Sequence, residues 1–372
     1  MTFDPTKPYN TLPDLPPNDD IETKAVLKLC LEATRALAEL KGKVQMLPDQ
    51  TILINLLPLQ EAKCSSEIEN IVTTQDKLFE GSLLQAMSEH AKKSQNDDDK
   101  IDPATKEILN YRNALRYGFE EMKTRPFSLH LIRDVCSVLR GKSVGFRDAG
   151  QNVALVNPQT GECRYTPPEG GRALEDKLEN LNNYLLNYTG HDDLIKMALI
   201  HYQFESIHPF DDGNGRTGRI MNILYLIHTK LLDLPILYLS RFIIENKNKY
   251  YKLLRAVTEK NDWEPYLLYM LTGIKETALS TAARVQDIIN AVNDASQTVK
   301  TQEPQIYSKE LIETIFRQAY CRVDFLVREN IAKRQTATRY LKKLTKLKIL
   351  EEQKIGREKI YTNLALIDIF RR

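Results

Sequence analysis

The sequence predicts a mainly α-helical protein with one small β-hairpin near its middle and a second at its C-terminal end. Over most of the chain, apolar residues recur about every 3.6 positions, as they do in amphipathic helices. Two segments break this period, residues 151–165 and 349–363, where short β-forming runs flank turn residues. We therefore expect a helical bundle in which the strands are confined to two local hairpins.

Composition sets the broad class of the protein. The chain has 372 residues, enough for two or three domains, and its apolar and charged fractions of 42% and 27% are ordinary for a globular protein. Its five cysteines are scattered without a Cys-x-x-Cys pair, which argues against a disulfide framework and a zinc knuckle. No apolar run approaches the ~20 residues that span a bilayer, and the Pro-rich start is unlike a signal peptide. We expect a cytoplasmic protein that does not contact membranes.

The N-terminal part divides into an arm and a helical region. Residues 1–20 are rich in proline and aspartate, which predicts a flexible, extended arm. Residues 21–95 form the helical region, whose periodicity predicts a first helix over 21–43 and a later one over 65–80. The polar run at 92–107 is predicted to be a surface loop.

The central region, residues 104–275, is predicted to consist of helices that surround the first hairpin. One of these helices stops at Gly141, the residue type that most often terminates a helix. A long polar helix over 276–300 is expected to link this region to the C-terminal module.

The C-terminal module, residues 301–372, is basic. It contains 16 Lys and Arg against 9 Asp and Glu, a net charge of +7, whereas the whole chain carries +2. Three short helices followed by a hairpin fit a winged helix-turn-helix, and KRQTATRYLKKLTK would be its third, basic helix. The module is therefore a candidate for binding DNA, but a protein-interaction role or a merely solvated helix face explains the charge as well.

The most informative segment is HPFDDGNGRTGR, residues 208–219. A glycine-rich loop that runs into a helix forms an anion site, because unpaired N–H groups and the positive end of the helix dipole face the same point. Arg216 and Arg219 lie three residues apart at that terminus, so both can share one face and bind phosphate oxygens. The pattern predicts a phosphate site, although a simple turn or a calcium-like loop has a similar composition.

The same segment carries acid–base and metal-binding side chains. A carboxylate beside phosphates is explained if Asp211 or Asp212 holds Mg²⁺. His208 can accept a proton near neutral pH, although a histidine before proline is often only structural. His201 lies two helical turns away, so we do not expect it to share a metal with His208. Together these residues predict metal-assisted phosphoryl or nucleotidyl transfer with histidine as the base.

Residues 208–219 also resemble the signature of the Fic family, HPFx[D/E]GNGRxxR, at every fixed position. The segments RYTPP, LYLSRFIIENKNKYYKLL and DWEPYLLYML are similar to the family as well. The resemblance implies a Fic-type helical bundle that transfers AMP from ATP to a Ser, Thr or Tyr hydroxyl of a protein target. In such an enzyme His208 would deprotonate the hydroxyl, Asp212 would hold Mg²⁺, and the hairpin at 151–165 would clamp the target by strand pairing.

The resemblance further implies which residues contact ATP. They are Gly213, Asn214, Gly215, Arg216, Thr217, Gly218, Arg219, Tyr250 and Tyr251. Arg219 would bind the γ-phosphate and so orient ATP for in-line attack, while Arg216 would contact the other phosphates. Tyr250 and Tyr251 would border the adenine, but packing between helices explains these two tyrosines almost as well.

SSEIEN, residues 65–70, resembles the pattern [S/T]xxxE[G/N] of family members with an inhibitory helix ahead of the core. There Glu69 would pair with Arg219 and displace the γ-phosphate. From the residues alone, Ser66 and Glu69 also fit a capping box at a helix start. The position of the segment ahead of the core favours inhibition, so we expect an autoinhibited adenylyltransferase.

Three other functions are compatible with the sequence. They are removal of AMP from a target, transfer of phosphate or phosphocholine by a related Fic enzyme, and DNA-binding regulation in which the core only senses nucleotide. An intact His208 disfavours the last, because a sensor needs no base. The expected partners are ATP, Mg²⁺ and a protein target, with self-modification, DNA at 301–372 and a homodimer as further candidates.

Overall fold

The computed structural model describes residues 3–74, 77, 78, 81, 82, 85, 101–156, 160–355 and 358–371. Within these ranges the α-helices are α1 Lys24–Val44, α2 Thr51–Ile68, α3 Pro103–Glu121, α4 Leu129–Arg140, α5 Arg172–Asn187, α6 Asp193–Ile207, α7 Asn214–His228, α8 Leu239–Glu245, α9 Lys247–Lys260, α10 Trp263–Gln302, α11 Lys309–Phe316, α12 Val323–Arg328, α13 Arg334–Lys346 and α14 Leu364–Arg371. The strands are β1 Leu155–Val156, β2 Cys163–Tyr165, β3 Tyr320–Cys321, β4 Leu350–Ile355 and β5 Glu358–Asn363. The predicted mainly helical fold with two local β features is confirmed.

Side-chain caps set several helix boundaries. The Asp102 carboxylate accepts the Thr105 N–H at 3.1 Å and caps the start of α3. Residues 103–107, the last part of the predicted surface loop, are therefore helical. The part of that loop up to residue 100 lies outside the described residues. Ser128 starts α4 in the same way, and Gly141 ends it with a left-handed φ of 64°, as predicted.

Helices α6 and α7 form the centre of the molecule. Nearly every side chain of both helices is buried, because α3 and α4 pack on α7 while α5 and α10 pack on α6. A helix that is apolar on all sides is expected only where neighbours surround it. The short loop that joins these two helices contains the first half of the segment 208–219. The candidate site is therefore built between two deeply buried helices of the bundle.

The N-terminal arm is not a flexible extension, contrary to the prediction. Leu12 and Leu15 are buried, and the Leu15 N–H donates to Asn180 Oδ1 at 2.9 Å. Gln203 on α6 donates to the Pro13 carbonyl at 2.8 Å. Prolines suit such a segment, since they lack the N–H that an extended chain packed on helices would otherwise have to satisfy.

The helix predicted over 65–80 is not continuous: among the described residues of that span, only 65–68, 77 and 78 are helical. Helix α2 starts at Thr51, continues through Pro58 and ends at Ile68, and residues 71–74 are not helical. The SSEIEN segment thus lies at the C-terminal end of a helix. The capping-box alternative is also wrong, because that arrangement requires a helix start. Residues 75, 76, 79 and 80 of the predicted span lie outside the described residues.

The linker predicted over 276–300 is not a separate element. It is part of α10, a single helix of 40 residues that also contains the end of the central region. Its residues Ala282, Val285 and Ile288 are buried where α10 packs along α1. Among the described residues, no helix has both the length and the apolar content needed to cross a membrane.

The C-terminal module contains the three helices and the hairpin that the sequence predicts. Helices α11, α12 and α13 are followed by β4 and β5, which pair antiparallel from Leu350 opposite Asn363 to Ile355 opposite Glu358. The short strand β3 adds to β5, giving the order β3–β5–β4. Neither β3 nor α14 was predicted. Helix α14 packs on α10 and so joins the module to the rest of the chain.

Candidate active site

The loop between α6 and α7 is closed by Asn214. Its side-chain oxygen accepts the Phe210 N–H and its amide donates to the Phe210 carbonyl, both at 2.9 Å. Gly213 adopts a φ of 85°, which favours glycine, and precedes the first turn of α7. The first N–H groups of that helix have no intrahelical partners, which is the arrangement that the predicted anion site needs. Asn214 acts here as a brace of the loop through its side chain.

His208 ends α6 in a left-handed conformation with φ 51° and ψ 61°. Its Nδ1 donates to the Glu205 carbonyl at 3.3 Å, which leaves Nε2 as the nitrogen that can accept a proton. Burial lowers the pKa of His208 to about 4. The imidazole is therefore neutral near pH 7, the state that a general base requires.

The two adjacent aspartates are both exposed and both paired. Asp212 forms an ion pair with Arg140 and lies 3.8 Å from the Arg216 guanidinium, while its Oδ1 accepts the Gly213 N–H at 2.6 Å. Asp211 lies 3.5 Å from the Lys142 ammonium. Asp212 is thus directed at the loop and the helix N-terminus, as its predicted role requires.

Arg219 is held by the segment that follows α2. Its guanidinium donates to Glu69 Oε1 at 2.8 Å, to Ser65 Oγ at 2.8 Å and to the Ser65 carbonyl at 2.9 Å. Burial acts to raise the pKa of Glu69, but the Arg219 charge outweighs it and the pKa lies below its usual range. A side chain on Gly215 would come within 2.4 Å of the Glu69 carboxylate, so only glycine permits this approach. The Glu69–Arg219 pair that the resemblance implies is present.

Arg216 has a partner that the sequence did not suggest. It is buried and forms an ion pair with Glu107, which lies near the start of α3. Its predicted contact with phosphate stays a prediction, because the guanidinium faces Glu107 in this structure. The sequence gives no signal for this pair, because Glu107 is one of several charged residues of α3.

Three of the predicted ATP ligands lie where helices pack against each other. Thr217 is fully buried, and a side chain on Gly218 would meet Glu205 at 2.5 Å, so this glycine allows α6 and α7 to pack closely. Tyr250 is buried and its hydroxyl pairs with His201 Nε2 at 2.8 Å. The side chains of Thr217 and Tyr250 lie in the core and Gly218 has none, so the contact of these residues with ATP stays a prediction. Tyr251, in contrast, is only partly buried and can still border the adenine.

Glu205 is a further titratable residue of the site that the sequence reasoning missed. One of its carboxylate oxygens is buried and has no hydrogen-bond partner among the described residues. Burial raises its pKa to about 7, and the nearby Arg219 charge only partly offsets this. It lies three residues before His208, on the helix face that α7 covers. Only the packing of those two helices reveals this environment.

The predicted hairpin at 151–165 is confirmed, with Leu155 opposite Tyr165 and Val156 opposite Cys163. Residues 157–159 of its turn lie outside the described residues. The Tyr165 hydroxyl donates to the Ser206 carbonyl at 2.8 Å, which ties the hairpin to α6 two residues before His208. The N-terminal arm lies against the β2 side, where the Tyr9 N–H donates to the Thr166 carbonyl at 3.0 Å.

Comparison with known proteins gives matches along most of the chain. Residues 27–120 match the N-terminal model of the Fic/DOC family, residues 126–226 match the Fic/DOC family model, and residues 292–366 match the C-terminal domain of SoFic-like protein adenylyltransferases. A Fic family protein from Desulfovibrio desulfuricans G20 has a similar fold, with a TM-score of 0.57 at 19% identity over 94% of this chain and 98% of that one.

Similar curated proteins match over shorter stretches. A probable protein adenylyltransferase of Aquifex aeolicus is 32% identical over 97 residues, which are 26% of this chain and 28% of that protein. The protein adenylyltransferase fic-1 of Caenorhabditis briggsae is 28% identical over 208 residues, 55% of this chain and 38% of that protein. The match thus spans only about a third of the length of these relatives. Since the two Fic/DOC models cover both the Glu69 segment and the loop that carries His208, the chain belongs to the Fic/DOC family.

Proposed function

We propose that this chain is a protein adenylyltransferase that moves AMP from ATP to a Ser, Thr or Tyr hydroxyl of a protein target and is inhibited in cis by Glu69. The observation that carries the proposal is the position of His208, whose Nδ1 is oriented by the Glu205 carbonyl, beside the glycine-rich N-terminus of α7. The curated proteins that match part of this chain are named protein adenylyltransferases, which supports the same activity. A reducing cytoplasm is the proposed compartment, because all five cysteines are free thiols.

The proposed reaction uses each part of the site once. His208 Nε2 takes the proton of the target hydroxyl, whose oxygen attacks the α-phosphorus. The bond to the β-phosphate oxygen breaks, and pyrophosphate leaves with the electron pair. The N–H groups at the start of α7 and the Arg219 guanidinium stabilise the phosphate charges. Catalysis here consists mainly of positioning and electrostatic stabilisation.

The carboxylate beside the loop is of a type that binds Mg²⁺. This ion is usually held by one or two carboxylates together with substrate phosphates, and Asp212 is an exposed carboxylate beside the anion site. The described residues contain no cluster of three His, Cys, Asp or Glu side chains, so phosphate oxygens would complete the coordination. Mg²⁺ bound there would neutralise charge on the phosphates. Asp212 would first have to release Arg140.

The proposed inhibition follows from the occupancy of Arg219. A γ-phosphate and the Glu69 carboxylate are both anions that need the same guanidinium, so they exclude one another. Because Ser65 also accepts two hydrogen bonds from Arg219, the whole end of α2 takes part in this contact. ATP bound without its γ-phosphate contact would present the α-phosphate at a wrong angle for in-line attack.

The test is a labelling experiment with purified protein, Mg²⁺ and ATP labelled at the α- or the γ-phosphate. We expect α-label, and no γ-label, on protein, with more label in the Glu69→Gly variant than in the wild type. His208→Ala in the Glu69→Gly background should abolish labelling, and intact-mass spectrometry should find one added AMP. Label that arrives only from the γ-phosphate would identify a kinase-like relative. A wild-type protein that removes AMP from pre-labelled Glu69→Gly protein would instead favour the reverse reaction.

Duplex DNA is a second candidate partner, and the surface of α13 favours it. Arg339, Lys342 and Lys346 are exposed on one side of this helix, whereas Lys343 is paired with Glu303 at 2.5 Å. Cations on an exposed helix suit contacts to the phosphate backbone. Fluorescence anisotropy with the full chain and a labelled duplex should give binding that weakens with salt and with Lys342→Gln. Binding that does not depend on salt would exclude this model.

A further inference from the structure

Arg147, which lies between α4 and the hairpin, is buried and makes an unusual set of contacts. Its guanidinium donates to four backbone carbonyls, at His208 (2.8 Å), Gln151 (3.0 Å), Pro168 (2.8 Å) and Ile207 (3.1 Å). Its relative exposure is 3%, and it forms no ion pair with a carboxylate among the described residues. A buried cation that relies on carbonyl dipoles alone is costly and therefore rare.

The backbone of Arg147 adds two further contacts to this network. Its N–H donates to the Pro209 carbonyl at 2.9 Å, and its carbonyl accepts the Gly171 N–H at 3.0 Å. Three consecutive carbonyls, from residues 207 to 209, are thus bound by one residue. That stretch contains His208, whose left-handed φ is uncommon for a residue with a side chain and needs such support.

The other two carbonyls belong to the two ends of the hairpin segment. Gln151 precedes β1 and Pro168 follows β2. Both ends of the segment that would hold a target are therefore bound by the same guanidinium. The side chain also fits this task chemically, because its planar fork presents donors in several directions, whereas a lysine presents them from one point. A shift of the hairpin would therefore disturb the backbone of the base.

We propose that Arg147 is a positioning residue that fixes the hairpin and the backbone of His208 in one geometry, so that a hydroxyl held by the hairpin lies within reach of the base. The inference rests on the proposed adenylyltransferase function. Arg147 contacts neither the expected phosphate site nor Glu69. It should consequently govern the rate of AMP transfer to protein and not the affinity for ATP.

The test compares Arg147→Lys and Arg147→Gln in the Glu69→Gly background, with Arg172→Lys as the matched control. Arg172 follows the same hairpin, but its side chain is exposed, at 82%, and among the described residues its ion pair is with Asp176. We expect the ATP dissociation constant, measured with a fluorescent analogue, to stay within about twofold. The transfer rate should fall about 10- to 100-fold, since a misplacement of about 1 Å costs that much. Hydrogen exchange at 151–156 and 160–168 should accelerate in the Arg147 variants and not in the control.

Two results would overturn the inference. One is an Arg147→Lys protein whose transfer rate and hairpin exchange equal those of the parent. The other is a parallel loss of ATP affinity, melting temperature and transfer rate, which would mean that Arg147 only holds the core together. If the Glu69→Gly parent itself transfers no AMP, the proposed function fails, while the exchange measurements still decide whether Arg147 tethers the hairpin. Arg147→Lys retains the charge, so its result stands if Arg147→Gln does not fold.

Discussion

Arg219 and Arg216 occupy adjacent turns of α7, and each is covered by a carboxylate from outside the loop, yet the two pairs differ in where the carboxylate comes from. Glu69 lies just past the end of α2, and this segment also gives Arg219 the hydroxyl and the carbonyl of Ser65. Glu107 lies within α3, next to buried residues of the bundle. Glu69 thus lies just past the last turn of α2, whereas Glu107 lies within a helix, and the two side chains are similarly exposed, at 34% and 38%.

The difference indicates which of the two arginines can replace its carboxylate partner with a phosphate of the nucleotide. Ser65 and Ile68 are buried, so the end of α2 stays packed, but Glu69 lies past its last turn and its side chain can leave Arg219 when an anion replaces it. The partner of Arg216 can leave only if its side chain turns away from α7. We infer that the Glu69 pair regulates the site and that the Glu107 pair holds the loop in place.

The largest expected effect is that of Glu69→Gly. Removal of the carboxylate frees one donor of Arg219 for the γ-phosphate, and we expect AMP labelling to rise about 10- to 100-fold, the usual worth of a charge-assisted hydrogen bond. The measurement is α-label incorporated per minute, with Glu67→Gly as a control from the same helix. Equal labelling of Glu69→Gly and the wild type would show that Glu69 does not compete with the γ-phosphate for Arg219.

The ratio between Glu69→Gly and the wild type should persist on acidification from about pH 8 to about pH 5. The Arg219 charge keeps the pKa of Glu69 below its usual range against the effect of burial, so its stabilising contribution is present above the unfolded pKa and is lost only as the pH falls through the lowered one. His208, with a pKa lowered to about 4 by burial, remains a neutral base over the same range. Because the Glu205 carboxyl beside Arg219 has a pKa raised to about 7 by burial, the deciding range lies below it, and a ratio that shrinks between about pH 6 and pH 5 would contradict this assignment.

A smaller rise is expected for Ser65→Ala. The Ser65 hydroxyl accepts from Arg219 Nε at 2.8 Å, but its carbonyl and Glu69 remain as partners, so labelling should rise about fivefold. In a double-mutant cycle with Glu69→Gly the two effects should not add, because both residues bind the same guanidinium. Additive effects would mean that Ser65 acts elsewhere.

A still smaller effect is expected for Lys247→Met, which loosens the end of α2 without touching Arg219. The Lys247 ammonium donates to the Ile68 carbonyl at 2.5 Å, directly before Glu69. We expect labelling to rise about twofold, the lower limit for one hydrogen bond at a partly exposed site. Lys249→Met, on the same helix, is the control and should leave labelling unchanged.

The sequence was sufficient for those parts of the fold that depend on local pattern. The sequence predicted the helix α1, the Gly141 that ends α4 and the two hairpins, because each of these features depends on a pattern of neighbouring residues. The N-terminal arm and the end of α2 were predicted wrongly. Their structure depends on the surfaces against which residues such as Leu15 pack, and no local pattern records those surfaces.

The site was predicted in the same uneven way. The pairing of Glu69 with Arg219 across 150 residues came from a family resemblance, not from the physical pattern of the chain. Glu107, Glu205 and Arg147 were missed because their roles depend on which helix or loop lies opposite. The same dependence makes Tyr250 a core residue, since its hydroxyl faces His201 inside the bundle.

The comparison of the two arginines is tested most directly by Glu107→Gln, for which we expect no rise in labelling. Arg216 is buried, and its Nε has no hydrogen-bond partner among the described residues. Loss of the Glu107 charge would therefore leave the positive charge of Arg216 without its ion-pair partner in a buried position. The cost should fall on stability, with a melting temperature lower by a few degrees in a thermal scan of a chain this size. Lys106 and Glu107 are neighbours on α3, and Lys106→Gln provides a control for the loss of charge on that helix. If Glu107→Gln instead raised labelling as Glu69→Gly does, both carboxylates would be inhibitory, and the distinction between the two pairs would fail.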